Sequence, residues 1–161
     1  MASTRKKSGT SRTDAISLLK EDHRQVEAWF SAFQEAKDAA RKRQLTAQIC
    51  AALTVHTKIE EEIFYPAFLQ ATDDKDIHHE AVVEHAGAKK LIAEIESMSP
   101  EDDYFDAKVS VLSEMIKHHV KEEEKPAGMF ARAKKSDMDL RMLGAQLRAR
   151  KQELQSTSEA A

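Results

Sequence analysis

The feature that most restricts this chain is the recurrence of histidine and glutamate on helical stripes that are otherwise apolar. Ile16, Leu19, Val26, Phe30 and Phe33 follow at steps of three and four once position 23 is counted, and that residue is His23. A second stripe carries Leu45, Ile49, Ala52, Ile63 and Ala67 and passes through His56 and, one step on, Glu60. A third follows Thr72-Asp73-Asp74 and carries Ile77, Ala81, Ala88, Ile92 and Ile95, with His85 on the line. A fourth carries Phe105, Val109, Leu112 and Ile116 and runs on through His119 and Glu123. Each of four expected helices therefore places polar, metal-capable groups on the face it must bury.

Burying such groups without partners costs roughly 1–3 kcal/mol each, and one shared metal centre can partner all of them. His56 and Glu60 stand four apart, as do His119 and Glu123; that spacing stacks an imidazole and a carboxylate on one helix face. Two such pairs on antiparallel helices suit a di-metal centre with bridging carboxylates and terminal histidines. At about 1.5 Å of rise per residue, with turns near 41, 73 and 100, the metal-ligating candidates His23, His56, Glu60, His85, His119 and Glu123 gather in one layer.

The rest of the sequence agrees with a helical bundle. Only 4 Gly and 3 Pro interrupt 161 residues, of which 41% are hydrophobic and 33% charged, a balance that favours long helices over short strands. Ser99-Pro100-Glu101-Asp102 reads as a capped start for the fourth helix, and Pro126 and Gly128 end its regular part. The expectation is an all-α, antiparallel up-and-down four-helix bundle over residues 14–133. Residues 1–13 form a flexible basic tail, residues 137–155 an extra helix packed on the bundle through Met138, Met142, Ala145 and Leu147, and residues 156–161 a frayed end. That last helix also offers a surface for a second copy or a signalling partner.

The formal charge of -3 gives no basic field for nucleic acid. No apolar run reaches the ~18 residues of a membrane span, and neither a secretory leader nor a disulfide framework is present, so a cytoplasmic setting is expected. The lone cysteine, Cys50, reads as a buried structural thiol. Around the six candidates, His118, His79, Glu80, Glu62, Glu122 and Glu124 read as solvent-facing, and His78 as lying about 10 Å from His85 along the axis. Glu61 and Glu84 are supplementary ligand candidates. Tyr65 and Tyr104 are redox-capable; Tyr65, about one turn beyond Glu60, has a place near the centre open to it, with helix-end packing the favoured role.

Asp22-His23, His56-Thr-Lys-Ile-Glu60-Glu61-Glu62-Ile-Phe-Tyr-Pro66, Glu84-His85 and His118-His119-Val-Lys-Glu122-Glu123-Glu124 together resemble the bacterial hemerythrin-like, or HHE cation-binding, domain family over roughly Ile16 to Phe130. The resemblance implies a non-haem di-iron centre, with Glu60 and Glu123 bridging and His23, His56, His85 and His119 as terminal ligands. The chain departs from the oxygen carriers of that family. They have two histidines four apart on the third helix, where this chain has His85 with Ala81 before it and Lys89 after it; their second carboxylate is an aspartate five beyond its histidine, here Glu123 four beyond His119. One iron thus lacks a nitrogen ligand, its position left to Glu61, Glu84 or water. The expected function is binding or sensing of dioxygen, nitric oxide or the iron and redox state of the cell. The alternative is a peroxidase- or catalase-like enzyme removing hydrogen peroxide. Manganese and zinc suit the same donors as iron.

Overall fold

Asp14 begins the described chain as an N-cap, its carboxylate accepting the Ser17 N–H at 2.8 Å. The computed structural model describes residues 14–160, so the basic segment expected over 1–13 lies outside the described residues. Helix α1 spans Ala15–Glu35 and α2 spans Ala39–Ile59, the latter capped by Asp38. A π-helical turn, Glu60–Phe64, joins α2 without a break to α3, Tyr65–Thr72. After a two-residue turn α4 covers Lys75–Glu96, α5 covers Phe105–Glu124, the short α6 covers Met129–Lys135, and α7 covers Leu140–Ala160. α1, the α2–α3 rod, α4 and α5 are the four antiparallel members of the bundle, and α7 lies along α1, α2 and the π turn. This is the expected four-helix bundle with an added C-terminal helix.

Two apolar clusters divide the interior. One holds Val26, Phe30, Leu45, Leu53, Ile92, Phe105, Leu112 and Ile116. The other holds Ile16, Leu19, Ile59, Phe64, Phe68, Ala81, Met129, Phe130, Leu143 and Leu147. The histidines and glutamates form a polar layer between them, since His23 separates Leu19 from Val26 and His56 separates Leu53 from Ile59 along their helices.

Two boundaries and two buried faces differ from the sequence expectation. Ser99 does not cap α5: the Asp102 carboxylate turns back to accept the Ser99 N–H at 2.8 Å, and the helix begins at Phe105, whose ring enters the core. Beyond Glu60 the buried residues are Phe64, Tyr65 and Phe68, while Ile63 and Ala67 are only partly buried. The π turn causes this shift. Pro66 has no N–H to give its preceding turn, and the chain answers with a wider turn in which the Tyr65 N–H bonds to the Glu60 carbonyl. On α7 the inward face is Leu143 and Leu147, and Met142 is 52% exposed rather than packed. Helix continues through Ala160, past the expected fraying at 156. Cys50 is buried, and burial, with Glu96 nearby, pushes its thiol up to about 12, which keeps it inert. Among the described residues no helix is long and apolar enough to cross a membrane.

Candidate metal centre

All six candidates are buried, none more than 5% exposed. The structure brings them into two groups, His23 with His56 and Glu123, and Glu60 with His85 and His119; within each group one donor atom per residue lies within 4.8 Å of the others. The glutamates span both groups. Glu60 Oε1 is 3.0 Å from His56 Nε2 and 3.3 Å from His85 Nε2. Glu123 sends Oε1 to within 3.2 Å of His23 Nε2 and Oε2 to within 3.4 Å of His119 Nε2.

Every histidine points Nε2 inward and gives its Nδ1–H to a carboxylate outside the group. His23 bonds to Glu124 at 2.7 Å, His56 to Asp22 at 2.9 Å, His85 to Glu61 at 3.3 Å and His119 to Glu84 at 2.7 Å. Metal-bound histidines are held in this way, because the outer carboxylate fixes the tautomer and leaves the inner nitrogen free to coordinate. Each outer carboxylate has a basic partner in turn: Arg24 for Glu124, Lys151 for Asp22, Lys89 for Glu61 and His118 for Glu84. Glu61 and Glu84 therefore stand behind their histidines rather than in the centre. Glu124, expected in solvent, is 19% exposed and orients His23. His118 is at the surface, 64% exposed, and Glu62 is engaged by Arg150 on the outside.

Tyr65, for which the sequence favours helix-end packing over a place near the centre, lies at the centre. It is fully buried, and its hydroxyl donates to Glu123 Oε2 at 2.9 Å while lying 3.0 Å from His85 Nε2 and 3.2 Å from His119 Nε2. Because the π turn stacks residues 60 and 65 rather than 60 and 64, Glu60 and Tyr65 share the inward face. A proline inside a helical pattern, one residue past the tyrosine, was the available signal. Its phenol lies beside the group that has no second histidine on α4.

The electrostatics are those of a buried ionic network. Burial alone would push the His56 imidazole down, but Glu60 and Asp22 outweigh it and hold it at about 10. Burial is likewise outweighed at His119, which Glu123 and Glu84 raise well above the ordinary imidazole range. Burial and its neighbour Glu123 would raise Glu60, yet His56 and His85 bring it below the usual carboxylate value. Glu123 falls well below that value because His119 and His23 overcome its burial. Burial, then Glu123 and Glu60, push the Tyr65 phenol well up, so it stays a donor.

These residues fit a cation. Among the described residues His23 Nε2, His56 Nε2, both oxygens of Glu60 and Glu123 Oε1 are buried and make no hydrogen bond of good geometry; short ion-pair distances link most of them, and a bound cation would satisfy them together. His85 and His119 Nε2 lie 3.2 Å apart, a separation that suits adjacent donors at roughly 2.0–2.2 Å from one ion.

The family model described as the Hemerythrin HHE cation binding domain matches residues 14–131. The chain belongs to this family. The bundle of a hemerythrin HHE cation-binding domain-containing protein from Mycobacterium kansasii superposes with a TM-score of 0.76 at 21% identity, covering 91% of this chain and 90% of that one; it shares the hemerythrin-like fold. A protein of Nostoc sp. named DNA nickase is 28% identical over 110 residues, which make up 66% of this chain and 30% of the nickase. This HHE domain thus spans under a third of that relative's length.

Proposed function

We propose that the chain is a non-haem di-iron protein that binds a small oxidant or diatomic ligand, either dioxygen, nitric oxide or peroxide, and so registers the iron or redox state around it. The observation that carries this reading is the pair of carboxylates, Glu60 and Glu123, each lying within 3.4 Å of histidine nitrogens from both groups. In this reading Glu60 and Glu123, together with His23, His56, His85 and His119, would hold the two ions. Iron bound there would supply redox chemistry and affinity for such ligands, and its mixed nitrogen and oxygen donor set is one that zinc and manganese also accept. The chain's own residues do the rest. The outer carboxylates hold the imidazoles, and the two apolar clusters exclude water on either side.

The test is metal content per chain on protein grown with iron, with optical spectra before and after air and peroxide. Two irons per chain with an oxo-bridge charge-transfer band are expected. Two zincs or manganese ions would retain the site but replace the metal, and no bound metal would overturn the reading.

A peroxide-removing enzyme is the second reading, and Tyr65 is what favours it. A buried hydroxyl 2.9 Å from Glu123 places a proton and electron donor inside the centre. Tyr65→Phe should then keep iron content while lowering peroxide turnover at least tenfold; equal turnover in the two proteins would remove the tyrosine from any such reaction. DNA strand cleavage is not carried over from the Nostoc relative, of whose length the matched stretch makes up 30%.

A further inference from the structure

The four outer carboxylates differ in where their basic partners come from. Arg24 is on α1, Lys89 on α4 and His118 on α5, all within the bundle and within the matched residues 14–131. The fourth partner, Lys151, is on α7, beyond that stretch. Its Nζ donates to Asp22 Oδ1 at 2.5 Å, and Asp22 Oδ2 accepts the His56 Nδ1–H at 2.9 Å.

α7 is built to deliver this lysine. Leu143 and Leu147 are buried against the bundle at 5% and 0% exposure, and Lys151 follows four residues later on the same face. The next inward residue, Leu154, is again apolar and packs on the same cluster. A cation thus interrupts an apolar stripe at the point where the stripe passes Asp22. Beside it, Arg150 grips both oxygens of Glu62, at 2.8 and 3.3 Å, and so fastens the helix to the π turn that carries Glu60.

We propose that Lys151 is a positioning residue for the metal centre, acting through Asp22 on His56, and that the seating of α7 and metal occupancy are thermodynamically linked. This rests on the metal reading above. Asp22 is only 13% exposed. Its two oxygens are fixed by two donors, so loss of the ammonium leaves one oxygen unpartnered and frees the carboxylate to turn away from the imidazole. In the other direction, a cation held by His56 would pin the ring with its Nδ1–H directed at Asp22 Oδ2. That tightens the hold on Asp22 and, through it, on Lys151. Linkage requires the two effects to be reciprocal.

The experiment uses the full chain and its Lys151→Met and Lys151→Arg variants, with helical content checked by circular dichroism. Ferrous iron affinity is measured anaerobically against a competing chelator, and amide hydrogen exchange over residues 140–154 is followed with and without iron. Iron should slow exchange across α7 in the wild type. Lys151→Met, which keeps the aliphatic stem, should weaken iron binding on the order of tenfold, the lower end for outer partners of metal ligands, and should abolish the iron-dependent slowing. Lys151→Arg should restore most of both. Unchanged affinity in Lys151→Met, or wild-type α7 exchange indifferent to iron, would overturn this proposal and leave the metal reading standing. A wild type that takes up no iron would overturn both.

Discussion

At each histidine of the centre the two ring nitrogens meet different surroundings. Nδ1 faces a carboxylate that a basic side chain holds in place, and Nε2 faces the buried interior, within 3.4 Å of Glu60 or Glu123. The roles of neighbouring residues follow from this division. His56→Ala should remove most bound metal and lower the melting temperature of the loaded protein, as read by elemental analysis and calorimetry. His118→Ala should do neither, because that ring is 64% exposed and Glu84, 26% exposed against 13% for Asp22, can exchange it for water; a loss matching that of His119→Ala would contradict the assignment. The six inward residues were legible in the sequence because each breaks an apolar stripe at helical spacing. The carboxylates behind them were legible only in part: Glu61 and Glu84 stand out as supplementary ligand candidates rather than as partners of Nδ1, and Glu124 looks like an ordinary surface charge until the helices are paired. Nothing in a one-dimensional pattern couples Glu84 to His119 or Glu124 to His23, which lie 35 and 101 positions away.

Among the elements, the π turn and the α5–α6 connection set the centre's geometry. Pro66 forces the wide turn, and this moves Tyr65 into the interior beside Glu123. Regular 3.6-residue periodicity carried across positions 60–68 instead selects Ile63 and Ala67, which is why the stripe read correctly as far as Glu60 and failed beyond it. The start of α5 was missed for a related reason. Ser99 and Asp102 satisfy each other in a turn, and the capping pattern alone does not distinguish that turn from a helix N-terminus. At the far end of α5, Gly128 is required by close approach: a Cβ there would lie 2.4 Å from the Glu122 carbonyl and 3.0 Å from that of Glu123. Gly128→Ala must push the connection off the helix end that carries Glu123. The expected cost is about 1–3 kcal/mol of stability together with weaker metal retention, measurable by denaturant melts and by the rate of metal loss to a chelator. Stability and retention equal to the wild type would show that the connection adjusts freely.

For the molecule as a whole, the polar layer between two apolar clusters ties folding to charge and to metal. In the metal-free chain His56 is held at about 10, above its ordinary value, so its contribution is complete below about 6.5 and is lost as pH rises through 10. Glu60 and Glu123 are lowered, so theirs is present above about 4.5 and is lost on acidification. Metal-free protein should therefore be most stable between roughly pH 4.5 and 6.5, as urea melts across pH will show; a maximum above pH 8 would contradict this network. Metal uptake near neutral pH must displace protons from these imidazoles, and the loaded protein should gain stability by mass action, about 2.7 kcal/mol at a hundredfold excess of metal over its dissociation constant. The antiparallel bundle and its extra helix follow from stripe, turn and composition, whereas the link from α7 to the centre depends on the three-dimensional meeting of Lys151 with Asp22, 129 positions apart. The most direct test of the two-ion centre is diffraction from iron-loaded crystals at the iron absorption edge. Two anomalous peaks are expected, one among His23, His56 and Glu123 and the other among Glu60, His85 and His119; a single peak elsewhere, or none in this layer, would contradict it.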